Sequence, residues 1–181
     1  MKPKRTAAKS LSFGLIYGIG AGKLAKALGI EVKEAKELMR KYFNTFPAIK
    51  TLMDKLAKDA EEKRYAYSPL DGRIINMAHL RWDHQGHKSH ALNMAKNLPF
   101  QGAGASTTKK AMCQIRERII KDKWDAKILI TVHDEIIISI LESQAKAFAK
   151  IVEREMITAF NFYAPDVPMR VTAIVDDCWI H

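Results

Sequence analysis

Apolar residues recur with the helical period along two stretches in the first third of the chain. Between Ile30 and Asn44 they fall at Val32, Ala35, Leu38, Met39, Tyr42 and Phe43, and after Pro47 at Ile49, Leu52, Met53, Leu56 and Ala60. Such spacings gather each set on one side of a helix, so two helices with core-facing stripes are predicted. Arg5 to Tyr17 contains no proline and reads as an earlier helix, weakened by Gly14 and ended or bent by Gly18, Gly20 and Gly22. These glycines match neither a P-loop, whose first glycine position is taken by Tyr17, nor the dinucleotide fingerprint, and they read as backbone hinges.

Further along, Ser68-Pro69-Leu70-Asp71-Gly72-Arg73 is turn chemistry, and Ile74-Ile75-Asn76-Met77 has the composition of a short strand. His79 to His90 holds four histidines and a tryptophan without a regular period. His84, His87 and His90 recur at a spacing that invites a metal reading, but no cysteine and no carboxylate except Asp83 stands near them, so a polar loop is the simpler reading. Ala91 to Trp124 reads as a long helical region interrupted near Pro99 and Gly102-Ala103-Gly104. Two β-branched runs, Ile128 to Val132 and Ile136 to Ile140, then flank His133-Asp134-Glu135, and Gln144 to Phe162 closes the pattern with an amphipathic helix. No internal repeat and no low-complexity linker interrupts the sequence.

Composition narrows the class. With 181 residues, 48% hydrophobic and 28% charged, the chain suits a folded globular protein rather than a disordered one. Thirty Lys and Arg against 20 Asp and Glu give a net charge of +10, which fits either a polyanionic partner or a basic solvated surface. Cys113 and Cys178 form no CxxC pair, so neither a zinc site nor a disulfide framework is indicated. No apolar run approaches the ~18 residues of a membrane span. Lys2, Lys4, Arg5 and Lys9 before the apolar stretch from Leu11 imitate a signal peptide. They belong instead to a helical stripe.

That stripe is Arg5, Lys9, Phe13 and Tyr17, four residues apart each time and therefore on one helix face. Cations that present fixed donors bind a triphosphate and a ring stacks on a base, so the face suits a nucleotide laid along it. An amphipathic helix with aromatic core contacts and solvated charges has the same spacing. His133-Asp134-Glu135 between two apolar runs predicts a β-hairpin with charges at its tip, a place where a divalent metal can bind. Turns commonly contain aspartate for structural reasons, yet this one has neither the asparagine nor the glycine that hairpin turns favour.

Arg5-x3-Lys9-x3-Phe13-Gly14-x2-Tyr17-Gly18 resembles the motif B fingers helix of the family A DNA polymerases, and Val132-His133-Asp134-Glu135 resembles their motif C, in the right order. Tyr42-Phe43 with Phe46-Pro47 is similar to the family's fingers helices, Gly72-Arg73 to its post-fingers turn, and Asn97-x3-Gln101-Gly102 to the polar helix before motif C. Trp179-Ile180-His181 resembles the family's carboxy terminus, especially in phage-type members. The resemblance implies an α+β architecture, a truncated right-hand polymerase fold. Residues 1–67 would be the helical fingers region and 68–181 a partial palm with a short antiparallel sheet. It further implies that Arg5 and Lys9 contact the incoming deoxynucleoside triphosphate, that Phe13 borders its sugar and that Tyr17 packs by the nascent base pair. Arg73 would hold a template or primer phosphate, Asn97 and Gln101 the minor groove of the primer-template duplex, and His133 the primer terminus. Asp134 would bind catalytic Mg2+ with Glu135 beside it.

Two departures qualify the resemblance. Asn93 stands where many members carry an arginine, and nothing in the chain is similar to motif A, the thumb or an exonuclease domain. Two-metal phosphoryl transfer needs a second aspartate, which in the family comes from motif A. The expectation is therefore the carboxy-terminal half of a split, soluble, cytoplasmic polymerase of a bacterial or phage-infected cell, completed by an amino-terminal half on another chain. A non-catalytic nucleic-acid-binding module and an inert fragment are the alternatives. The related motif B of single-subunit RNA polymerases is disfavoured by Phe13.

Overall fold

The computed structural model describes Ala8 and residues 11–179, and the chain divides into two compact units, Met1–Pro99 and Phe100–His181. The first unit begins with α1, helical over residues 11–16. It continues through α2 (Ala21–Leu28), α3 (Val32–Thr45) and α4 (Pro47–Lys63) to an antiparallel pair, β1 (Tyr65–Tyr67) and β2 (Ile74–Asn76). Helix α5 (Gln85–Lys121) carries the chain into the second unit, where β3 (Ala126–Val132) and β4 (Glu135–Ile140) form a hairpin followed by α6 (Glu142–Tyr163). Two small antiparallel sheets in a mainly helical chain make the fold α+β.

Local chemistry accounts for the helix boundaries. Glu31 and Glu34 form a reciprocal capping box at the start of α3, and Pro47 opens α4, where its missing N–H costs no bond. The stripes predicted on α3 and α4 turn most of their residues to cores, while Val32 and Leu52 stay exposed. Leu15, Leu24, Ala25 and Ala35 are buried together with Met39, Tyr42 and Phe43 packed around them. Ala60 joins Ala66, Met77, Ala91, Ala95 and Leu98 in a second cluster. β1 had no signal of its own in the sequence; it forms because Ile75 of β2 and Ala66 of β1 both face that cluster.

Two expectations are corrected in α5. The helix starts at Gln85, inside the stretch read as a polar loop, because the His84 ring accepts the His87 backbone N–H at 3.4 Å and so caps the first turn. It also runs unbroken through Pro99 and Gly102-Ala103-Gly104. A mid-helix proline costs about 3 kcal/mol in isolation. Here buried residues secure the helix on both sides of it, Ala91, Ala95 and Leu98 in the first unit and Ala111, Ile115 and Ile119 in the second, so packing outweighs the local penalty.

In the second unit Ile115, Ile119, Ala126, Phe148 and Val152 form the core, with Ile128, Ile136, Ile138 and Ile140 of the hairpin packed against it. The register shifts between Ile128 and Ile130, so Ile128 faces Ile138 while Ile130 faces Ile137, and Leu129 is the extra residue of a β-bulge. Glu155 of α6 is buried and accepts the Arg118 Nε at 2.9 Å and Arg154 at 3.2 Å, which pairs its charge. That hydrogen bond, with the carboxylate's charge, raises the pKa of the Arg118 guanidinium further.

Candidate functional site

Helix α1 turns Leu15 inward, 2% exposed, and leaves Phe13 and Tyr17 on its other side at 46% and 44% exposure. Their rings lie nearly parallel, 16° apart with centroids at 6.1 Å, so the two aromatic members of the predicted stripe do share a face. Arg5 and Lys9, its cationic members, lie outside the described residues. The helix ends in a Schellman motif: Gly18 N–H donates to the Leu15 carbonyl at 3.0 Å and Ile19 N–H to the Gly14 carbonyl at 2.8 Å, with Gly18 at φ 76°. An added Cβ on Gly18 would sit 2.3 Å from Asn93 Oδ1. Asn93 thus fills the space beside Gly18.

The loop between β1 and β2 is built around Ser68 and Gly72. Ser68 N–H donates to the Arg73 carbonyl at 2.8 Å and its own carbonyl accepts Gly72 N–H at 2.9 Å, with Gly72 at φ 71°. This closure tucks the Asp71 side chain inward to 1% exposure, where it accepts the Arg73 Nε at 2.6 Å, while the Arg73 side chain is 36% exposed. The guanidinium is thereby aimed by a buried carboxylate. On α5, Asn97 and Gln101 stand four residues apart. Gln101 is exposed, and Asn97 Oδ1 is buried without a hydrogen-bond partner among the described residues. A buried orphan acceptor costs stability and calls for an explanation beyond the fold.

At the β3–β4 tip the ladder closes with Val132 opposite Glu135, so the loop is two residues, His133 and Asp134, and Glu135 is the first residue of β4. The tip is thus shorter than the predicted three-residue one. His133 takes φ 55°, a left-handed value at the first loop position that favours glycine. Holding a histidine there leaves His133 and Asp134 exposed at the turn, with Glu135 exposed beside them. The Trp179 indole donates to Glu135 Oε2 at 3.2 Å. Among the described residues no group of three or more His, Cys, Asp or Glu is arranged to hold a metal, at His84, His87 and His90 or at this tip. Asp134 and Glu135 nevertheless offer hard oxygen donors. Mg2+ takes one or two carboxylates with waters and substrate phosphates, so this donor set suits it as a partial site.

Three contacts at these positions have no signal in the sequence. Asp71 reads as ordinary turn chemistry, and its carboxylate is drawn inward only once the loop closes. Trp179 lies 44 residues beyond Glu135 and touches it only through the fold. Asn93 is visible only as a departure from a pattern.

The family model for DNA polymerase family A matches residues 1–181. DNA polymerase I of Bacillus caldotenax is 32% identical over 161 residues, 89% of this chain and 18% of that protein. The thermostable DNA polymerase I of Thermus filiformis is 32% identical over 176 residues, 97% of this chain and 20% of that one. The solved POL domain of Pol1 from M. smegmatis, in complex with DNA primer-template and dNTP, superimposes with a TM-score of 0.81 at 29% identity, covering 88% of this chain and 28% of that domain. The chain therefore spans about a fifth of the length of these two relatives. No described helix is long and apolar enough to cross a membrane. On the match along its whole length, with the α+β fold shared, the chain belongs to DNA polymerase family A.

Proposed function

We propose that this chain supplies the fingers (1–67) and carboxy-terminal palm (68–181) of a DNA-directed DNA polymerase, which joins deoxynucleoside triphosphates to a primer on a DNA template. The observation that carries the reading is the β3–β4 tip, where a histidine held at φ 55° and an exposed aspartate form a two-residue turn in place of the glycine-containing turn a hairpin favours. A strained, polar, exposed turn costs folding stability, and exposing a carboxylate for chemistry is a reason to keep it.

In this reading Asp134 holds Mg2+, with Glu135 beside it and Trp179 limiting the swing of the Glu135 side chain. When bound, the ion supplies charge neutralisation at the transferring phosphoryl group and the leaving pyrophosphate. Arg5 and Lys9 bind the triphosphate oxygens, Phe13 borders the sugar, and Tyr17 packs beside the nascent base pair. Asp71 steadies Arg73 against a DNA phosphate. Asn97 and Gln101 face the minor groove, where their side-chain amide N–H groups meet base acceptors that vary little with sequence and so allow contact without base preference. His133 meets the primer terminus.

A second aspartate is still required for two-metal chemistry, and a motif A-bearing polypeptide acting together with this chain would supply it. Primer extension with Mg2+ and all four nucleotides tests this, using the chain alone, the chain with such a polypeptide, and the mixture with Asp134→Ala. Synthesis in the mixture that disappears with Asp134→Ala supports the assignment, and synthesis that survives the substitution overturns it. Silence in every mixture, with salt-sensitive DNA binding retained, moves the function to nucleic-acid binding alone.

A further inference from the structure

In the β1–β2 hairpin the strand period of two separates two faces. Ala66 and Ile75 look into the core of the first unit. The other face pairs Tyr65 with Asn76 and Tyr67 with Ile74, and Tyr65, Tyr67 and Ile74 are 38%, 49% and 64% exposed. Three large apolar side chains on one small exposed face are more than the scattered singles of an ordinary surface. At about 3.3 Å per residue the two tyrosines stand ~7 Å apart along the strand. That spacing is too wide for them to stack on each other and wide enough for each to take a separate flat ring.

An open groove of about 360 Å3 adjoins this face, lined by Lys63, Arg64, Tyr65, Ile74, Asn76 and Ala78. Its charged lining is entirely cationic. Arg64 takes a left-handed φ of 62° between α4 and β1, and its guanidinium lies over the Trp82 ring at 4.3 Å, so it is held by an aromatic surface. Lys63 Nζ is 3.5 Å from Asp59, one turn earlier on the same face of α4, and both side chains are partly exposed. Rings on a strand beside fixed cations are the combination that binds unpaired bases by their faces and the connecting phosphates by charge. Duplex DNA hides its base faces, and an apolar protein surface would offer no countercharge to Lys63 and Arg64.

We infer that the outward face of the β1–β2 hairpin is a binding platform for single-stranded nucleic acid, with bases stacked on Tyr65 and Tyr67 and phosphates beside Lys63 and Arg64. The platform goes beyond the proposed transfer reaction, since it requires neither Asp134 nor a metal ion and works in the chain alone.

The test is fluorescence anisotropy of a labelled oligothymidylate with the full chain at fixed salt and without Mg2+. Losing each ring weakens binding about tenfold, so Tyr65→Ala with Tyr67→Ala weakens it by up to about a hundredfold. Tyr65→Phe with Tyr67→Phe keeps the rings and the parent affinity, and binding of a duplex changes little in either variant. Unchanged oligothymidylate binding in the alanine variant overturns the inference, as does an equal loss in the phenylalanine variant or for the duplex. Should the alanine variant fail to fold, photo-crosslinking of an iodouracil-containing single strand to the unmodified chain decides the matter. Adducts mapping to Tyr65 or Tyr67 support the platform, and adducts mapping only elsewhere refute it.

Discussion

Replacing Gly18 by alanine tests how tightly the end of α1 is built. Gly18 sits at φ 76°, where a residue with a Cβ costs about 1–2 kcal/mol. The new methyl would also lie 2.3 Å from Asn93 Oδ1 and 2.8 Å from its Cγ, so Asn93 must leave its position, and overpacking of that kind costs about 1–3 kcal/mol. The two terms together predict a loss of about 2–5 kcal/mol. They also separate cleanly. Asn93→Ala removes the obstruction without changing the backbone, so relative to Asn93→Ala alone the double variant should lose only the conformational part, about 1–2 kcal/mol. Urea unfolding of the parent, both single variants and the double variant, followed by circular dichroism, gives the coupling directly. Strict additivity would refute the steric part of the argument, and a Gly18→Ala chain as stable as its parent would refute both parts. Because Gly18 follows Tyr17 directly, the same substitution should turn the exposed Tyr17 ring away from its near-parallel stack on Phe13.

Three further outcomes follow from single contacts. His133→Gly removes the left-handed strain at the β3–β4 tip, where the loss of about 1–2 kcal/mol of strain exceeds the chain-entropy cost of glycine, so thermal unfolding should shift upward while primer extension with a complementing polypeptide falls; a downward shift means the imidazole itself stabilises the turn. Trp179→Phe keeps a ring but deletes the N–H that meets Glu135 at 3.2 Å, and should raise the Mg2+ concentration needed for half-maximal extension with little change in unfolding temperature. The Arg40 hydrogen bond holds the exposed Glu37 carboxyl below its ordinary pKa. A carboxyl depressed by folding contributes stability above its unfolded pKa and loses it as pH falls through the lower folded value. Glu37→Gln should therefore be slightly less stable than the parent at neutral pH and equal to it in strong acid, and a difference that persists in acid would place the effect elsewhere.

How much was legible in the sequence depended on how local the signal was. The stripes of α3 and α4 and the runs flanking His133-Asp134-Glu135 are short-range patterns, and each becomes the element predicted. The interruption expected near Pro99 and Gly102-Ala103-Gly104 rests on local propensity, which is outweighed by buried residues on both sides of the proline. β1 leaves no such pattern, because Tyr65-Ala66-Tyr67 is too short to show a period and becomes a strand only through Ile74 and Asn76. At the site, Phe13 and Tyr17 were readable as one face from their spacing. Asp71 under Arg73 and Trp179 on Glu135 were not, since the first needs the loop closure at Gly72 and the second joins residues 44 apart.

The bulge at Leu129 bears on what the second unit can pack against. Strict alternation along β3 would place Leu129 and Ile130 on opposite faces of the sheet. The register shift instead leaves both exposed, at 62% and 54%, while Ile128, Ile136, Ile138 and Ile140 keep the core side. Two adjacent large apolar residues in water are a surface suited to further packing, and the chain covers only 28% of the solved POL domain on which it superimposes. Leu129→Lys with Ile130→Thr alters that surface without touching the core side. Sedimentation velocity at rising concentration should show self-association in the parent and less of it in the variant, with little change in unfolding temperature. If a motif A-bearing polypeptide supports synthesis by the parent, it should do so less well with the variant. A variant that unfolds would show instead that Leu129 and Ile130 serve the stability of the unit itself, and self-association that persists unchanged would move the packing surface elsewhere.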